Sequence, residues 1–146
     1  MRTVRVERTI AAPVEDVFEM LTDHAGYARF RGVRSAELLR EGELDPNGTG
    51  AMRRVVIGPI RLDEEITGFE RPRRMDYVIR DMNVPFDHEG GTIAVEGDAT
   101  RAHVVWTSTF RVPMRGEGLF TAIAAAAIRA GFVGMLAEIE KKLARG

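Results

Sequence analysis

EGLFTAIAAAAIRAGFVGMLAEIEKKL, residues 117–143, decides the fold. The stretch has no proline and is rich in alanine. Leu119, Phe120, Ile123, Ala127, Ile128, Gly131, Phe132, Met135, Leu136, Ile139 and Leu143 recur at three- and four-residue steps and form one continuous apolar stripe. Arg129, Glu138, Lys141 and Lys142 avoid its centre. A helix of about 27 residues spans about 40 Å. That is too long to lie beside one short strand, so it must cross most of a sheet. Residues 119–139 are also long enough to span a bilayer. Arg129 at the middle would cost roughly 2.5 kcal/mol or more there, and alanine drives insertion weakly. A core helix is therefore expected, not a membrane span.

Upstream of the helix the sequence reads as strands. Val4 and Val6 alternate with Arg5 and Glu7, a half-buried strand. Pro13 suits the first turn of a helix, and Glu15 and Asp16 favour the same end. Val14, Val17, Phe18 and Leu21 give that helix one apolar face, and residues 23–26 end it. A short second helical turn follows at Tyr27 to Phe30. Strands are then expected at 37–40, 52–57, 61–69, 75–82, around Ile93 and Val95, and at 103–112. Turns lie at 45–50, at Gly58-Pro59, at 71–73 and at 97–100, and Glu89-Gly90-Gly91 interrupts or bulges one strand. Short strands at this spacing imply an antiparallel meander. The whole predicts one α+β domain over residues 1–146. A curved seven-stranded antiparallel sheet wraps the long C-terminal helix, and two short helices follow strand 1. Such a sheet has one face to bury, and the long stripe covers it. Where sheet and helix diverge a cavity is expected. Ala124 to Ala127, Gly131 and Gly134 either let the sheet approach closely or leave room for a ligand.

Composition narrows the function. The charges nearly cancel, 21 basic against 22 acidic residues for a net −1, which argues against nucleic acid or an anionic membrane as partner. Without cysteine, disulfides, thiolate metal sites and cysteine nucleophiles are excluded. The opening MRTVRVERTI has no apolar signal segment, so a cytoplasmic location is the default expectation. Gly48-Thr-Gly50 lacks the Lys-Ser/Thr ending of a phosphate loop and reads as a hairpin turn. No nucleophile elbow is present. His24, His88 and His103 have no close metal-ligand spacing, so neither metal nor cofactor is expected.

Several segments carry a resemblance. They are Val6 to Phe18, Leu21-Thr-Asp23, Gly48-Thr-Gly50-Ala-Met-Arg53, Glu64-Glu65-Ile-Thr, Tyr77-Val-Ile and His103 to Phe110. Together they resemble the SRPBCC superfamily, which includes START lipid-transfer domains, birch-pollen-allergen-like proteins and polyketide cyclases. The resemblance covers nearly the whole chain and points to the bacterial polyketide cyclase/dehydrase-like branch. It implies the helix-grip fold and is unspecific for ligand. It places Arg53 in a Gly-x-Gly-x-x-Arg motif whose arginine often faces the cavity, and it places a lid near Tyr27 and Phe30.

The candidate site residues follow. Arg53 either faces the cavity, where it could hold a ligand oxygen, or bridges to Glu65 or meets solvent; Arg54 has the opposite parity. Glu65 either pairs with Arg53 inside or is an ordinary exposed strand residue. Glu64 shares the parity of Leu62 and Ile66, and neither face of that strand is clean. Trp106 and Phe110 share one face of the last strand with Val104 and Ser108 and turn toward the helix, as cavity wall or as core. Tyr77, with Met75 and Ile79, turns inward, and its hydroxyl needs a partner from protein or ligand. His88, next to Phe86, is a candidate for the cavity mouth. His103 is expected outside. Tyr27 and Phe30 either gate the cavity or close the sheet's open end.

Three functions are weighed. The first is binding, as carrier or sequestering protein, of a hydrophobic or aromatic small molecule. The second, implied by the resemblance, is a polyketide aromatase/cyclase-dehydratase with Arg53 and Tyr77 as catalytic groups. It meets a departure: the tryptophan and tyrosine that follow the first helix in characterised cyclases are here Tyr27 and, near Val33, no tyrosine. The third is a non-enzymatic module that pairs as a homodimer through the long helix.

Overall fold

The computed structural model describes residues 1–145. Strand β1 (Arg2–Ile10) leads into helix α1 (Val14–Thr22) and a 3-10 turn (Ala25–Arg29). Strands β2 (Val33–Arg40), β3 (Met52–Ile57), β4 (Ile60–Glu70), β5 (Arg74–Met82), β6 (Asp87–Gly97) and β7 (Ala102–Arg111) follow, and then helix α2 (Glu117–Arg145). All strand pairs are antiparallel in the order β1-β7-β6-β5-β4-β3-β2, so the chain forms one meander closed by β1 on β7. This is the helix-grip arrangement expected from the sequence.

Alternation builds the two faces. In β7 the residues Ala102, Val104, Trp106, Ser108 and Phe110 are buried and their neighbours are only partly so. Val4 and Val6 stand opposite Ser108 and Trp106 and extend the same inner face into β1. Helix α1 buries Val14, Val17, Phe18 and Leu21. The amide of Val14 donates to the Asp98 carbonyl at 3.1 Å, which fastens the helix start to the β6–β7 turn. Burying four such side chains supplies roughly 1.5–3 kcal/mol each.

The long helix is a core helix of the sheet, although its length and apolarity would suffice to cross a membrane. It packs chiefly on β1, and less on β7 and α1. One expectation needs correction here. The apolar stripe is continuous in sequence, but only part of it is covered. Leu136 and Ile139 are fully buried, whereas Leu119 and Ile123 are 66% and 56% exposed. The N-terminal half of α2 stands away from the sheet. It is still tethered: Thr121 Oγ1 accepts the Val112 amide at 3.0 Å, and Arg129 Nη1 donates to the Arg5 carbonyl at 3.0 Å. Further along, Arg8 Nη2 donates to Glu140 Oε1 at 2.8 Å.

The sheet also parts. β5 and β6 pair only from Arg74↔Ala94 to Tyr77↔Gly91. Beyond that point the Ile79 amide donates to His88 Nδ1 at 2.9 Å, a side chain taking the place of a strand carbonyl. A bulge between His88 and Gly90 shifts the β6 register by one residue. Without it His88 would face outward; with it His88 stands opposite Phe110 on the inner face.

Candidate ligand-binding site

Between the stand-off half of α2 and the concave sheet lies a cavity of about 500 Å³. Its open side is marked by the exposed lining residues Ile57, Val84, Met114, Phe120 and Ile123. The small residues Ala124, Ala127 and Gly131 line its roof. A Cβ added to Gly131 would touch nothing within 4 Å. At Gly131 the sheet therefore does not approach closely, and the helix borders open space. Trp106 and Phe132 stack at 3.9 Å between centroids and 10° between planes, and join sheet to helix across the middle of the space.

The polar groups gather at the closed end. Arg53 is 2% exposed. Its Nε donates to Glu64 Oε1 at 2.7 Å, and its Nη1 donates to His24 Nδ1 at 2.9 Å. The guanidinium lies 4.5 Å from the Tyr27 ring centroid and 5.8 Å from that of Tyr77. His24 Nε2 donates to the Asn47 carbonyl at 2.8 Å, so its proton sits on Nε2 and Nδ1 is free to accept. Burial, and then the Arg53 charge, lower the His24 pKa to about 3. The imidazole is therefore neutral. Burial is the largest single influence and opposes the Arg53 charge, but Glu64, Tyr27 and Tyr77 together outweigh it and the guanidinium pKa is raised.

Pairing explains which acid is inside. β3 and β4 join through Gly58 and Pro59 with Ile57 opposite Ile60, and this register sets Arg53 directly opposite Glu64. Opposite residues share a face. Glu65 is thus on the outer surface, where Arg80 Nε at 2.7 Å and Arg40 Nη2 at 3.3 Å hold it. The pairing of Arg53 with Glu65 is corrected to Arg53 with Glu64. Arg54 faces out and chelates Asp63 at 2.8 and 3.0 Å. The hairpin turn alone carried this information: a two-residue turn fixes every pair of the ladder.

Tyr77 depends on a missing side chain. Gly91 stands opposite it, and a Cβ there would come within 2.3 Å of the Tyr77 ring. The ring lies flat over β6 and reaches β7, where Trp106 Nε1 donates to its hydroxyl oxygen at 2.9 Å. Burial, and then Glu64, push the phenol pKa up, so Tyr77 keeps its proton. Ser108, two residues on from Trp106, lines the cavity too. His88 Nδ1 is occupied by the Ile79 amide, so Nε2 carries the proton and donates to Ser108 Oγ at 2.9 Å. This orientation cannot take a proton from serine, so the pair is no nucleophile–base couple. Burial lowers the His88 pKa to about 4.

The expected residues therefore divide. Tyr27, Arg53, Tyr77, Phe86 and Trp106 line the cavity. Two do not. Phe110 stacks behind Phe86 at 5.1 Å. His88 sits between Tyr77 and Phe86, at 5.6 and 6.1 Å, one layer behind the wall. Tyr27 is no gate: its hydroxyl donates to the Leu21 carbonyl at 2.5 Å, and its ring meets Phe30 edge-on at the closed end. His103 is on the outer side with Glu7 at 3.0 Å. The sequence reading missed His24 as the partner of Arg53; no local pattern marks it, because the contact spans 29 residues of chain. Among the described residues no group of three or more His, Cys, Asp or Glu is placed to hold a metal ion.

Known proteins share this architecture. The Zhui aromatase/cyclase from Streptomyces sp. R1128 superposes with a TM-score of 0.81 at 22% identity, over 99% of this chain and 94% of that one. A protein from Thermus thermophilus gives 0.79 at 24% identity, over 99% and 98%. A START superfamily protein from Mycobacterium smegmatis gives 0.71 at 12% identity, over 98% and 97%. At these identities the likeness is one of fold. No curated protein matches by sequence. The sequence model of the family described as polyketide cyclase / dehydrase and lipid transport matches residues 1–144, and the chain belongs to that family.

Proposed function

We propose that this protein binds a hydrophobic or aromatic small molecule in the cavity under α2. One observation carries the reading: an apolar cavity of about 500 Å³ ends on a fully buried Arg53–Glu64 pair. Apolar walls with a few convergent polar groups are the usual form of a small-molecule site. Trp106 is the single tryptophan and lines the wall, so its fluorescence reports occupancy. Native mass spectrometry of protein purified from its own organism should show a retained apolar compound. Protein that retains nothing and shows no Trp106 response to apolar aromatics would remove the reading.

A second reading, aromatase/cyclase chemistry, has its own support in Tyr77. The phenol accepts from Trp106 while its own proton has no acceptor among the described residues. Such a donor, beside a charged Arg53, suits polarising a ketone as an enolate forms. Tyr77→Phe should then lower turnover of a poly-β-ketone by about 10²-fold or more, in line with loss of a general acid. Full turnover by that variant would leave binding as the sole function.

A further inference from the structure

The wall of the cavity carries two charged side chains, Arg53 and Glu64, and they neutralise each other at 2.7 Å. The group behind Arg53, His24, is a neutral imidazole whose Nδ1 already takes Nη1. An anionic ligand would find no spare cation here, and it would lie beside a carboxylate in an apolar enclosure. A buried charge without a partner is strongly unfavourable.

The unused hydrogen-bonding capacity has a pattern. The Tyr77 hydroxyl accepts from Trp106 and has its proton to give. The Ser108 hydroxyl accepts from His88 Nε2 and likewise has its proton to give. Tyr77, Gly91 and Ser108 stand in register across β5, β6 and β7, so both donors issue from neighbouring inner-face positions. Glu64 Oε1 is taken by Arg53, and Oε2 makes no hydrogen bond among the described residues. The free valences are thus two neutral O–H donors, the Nη2 of an Arg53 whose charge Glu64 already balances, and one carboxylate oxygen.

We infer that Tyr77 and Ser108 form a donor pair that selects an uncharged ligand with a carbonyl oxygen, and a hydroxyl where it meets Glu64, over the corresponding acid. The inference rests on the binding function proposed above and adds the chemistry of the ligand's polar end. Ser108 is the specificity residue, and His88 positions it by fixing which way its proton points.

The test uses two probes that share a naphthalene body: 2-acetonaphthone, a neutral ketone, and 2-naphthoate, its acid. Binding to the intact protein is followed at pH 7 by quenching of Trp106 and checked by calorimetry. The ketone should bind at least tenfold more tightly. Ser108→Ala should weaken the ketone about fivefold and leave naphthoate unchanged. Glu64→Gln frees the Arg53 charge and should reverse the preference, with naphthoate gaining tenfold or more. Equal or tighter binding of naphthoate by the unaltered protein overturns the inference while the binding function stands, and that comparison needs no variant to fold. Binding of neither probe overturns both. A Glu64→Gln protein that folds and still prefers the ketone also overturns the charge argument.

Discussion

The two halves of α2 share one apolar stripe and live in different surroundings. Toward the C-terminus, Leu136 and Ile139 are wholly buried against the sheet and α1. Toward the N-terminus, Leu119, Phe120 and Ile123 lie 66%, 41% and 56% exposed, the latter two on the cavity wall. Composition alone would bury the N-terminal half, which carries fewer charges; what faces the halves decides otherwise. One half meets close-packed side chains, and the other meets a space of about 500 Å³. On the proposed function, stability and binding are held by different parts of one helix.

The sharpest way to break that contrast is to truncate the packed half. Leu136→Ala should lower unfolding stability by about 2–5 kcal/mol, as buried leucines do. A loss under about 1 kcal/mol in denaturant titration would mean that this half is not the anchor. The next effect is acid sensitivity at the closed end. His24 is neutral in the fold with a pKa of about 3, against 6.5 when unfolded. Below pH 6.5 the unfolded chain takes up the proton and the folded chain does not. Stability is thus full above that pH and falls as pH drops, by about 2 kcal/mol from this group between about pH 7 and 5. His88, lowered to about 4, adds a slope of the same sign. His24→Gln should flatten the curve; an unchanged slope would remove His24 from the account. A third change acts on the open half. Gly131→Leu enters empty space, so helix propensity should raise stability by about 0.5–1 kcal/mol while the side chain fills the roof and blocks ligand. Undiminished Trp106 quenching in that variant would place the ligand elsewhere. The smallest effect is Leu119→Ala, which should stay within about 0.5 kcal/mol. Light scattering on the same pair of proteins checks the expectation of a homodimer, since a dimer built on this face would weaken with Leu119 removed.

Local pattern made the scaffold legible. The strands of β3 and β7, the apolar face of α1 and the span of α2 all follow from spacing within a few residues. The bulge at Glu89-Gly90-Gly91 was visible as glycine, but its consequence was not: shifting register turned His88 inward to serve Ser108. Choosing between Glu64 and Glu65 by strand composition failed because charged and apolar residues mix on both faces of β4. The Gly58-Pro59 turn would have decided it, since ladder register is a stronger constraint than face composition. Phe110 and Trp106 share parity, yet only Trp106 reaches the cavity. Parity gives a side, and depth depends on what packs in front, here Phe86. The uncovered half of α2 was illegible for the same reason: periodicity says which residues could be buried, and the curvature of the sheet says which are.

The flat seating of Tyr77 on Gly91 reaches beyond this one chain. The two positions form a single heritable unit. A lineage that keeps the tyrosine must keep the glycine, and one that gains a side chain at 91 must shrink or lose the ring at 77. Cavity shape in this family can therefore drift only by paired steps at these positions, and aligned relatives should show them changing together.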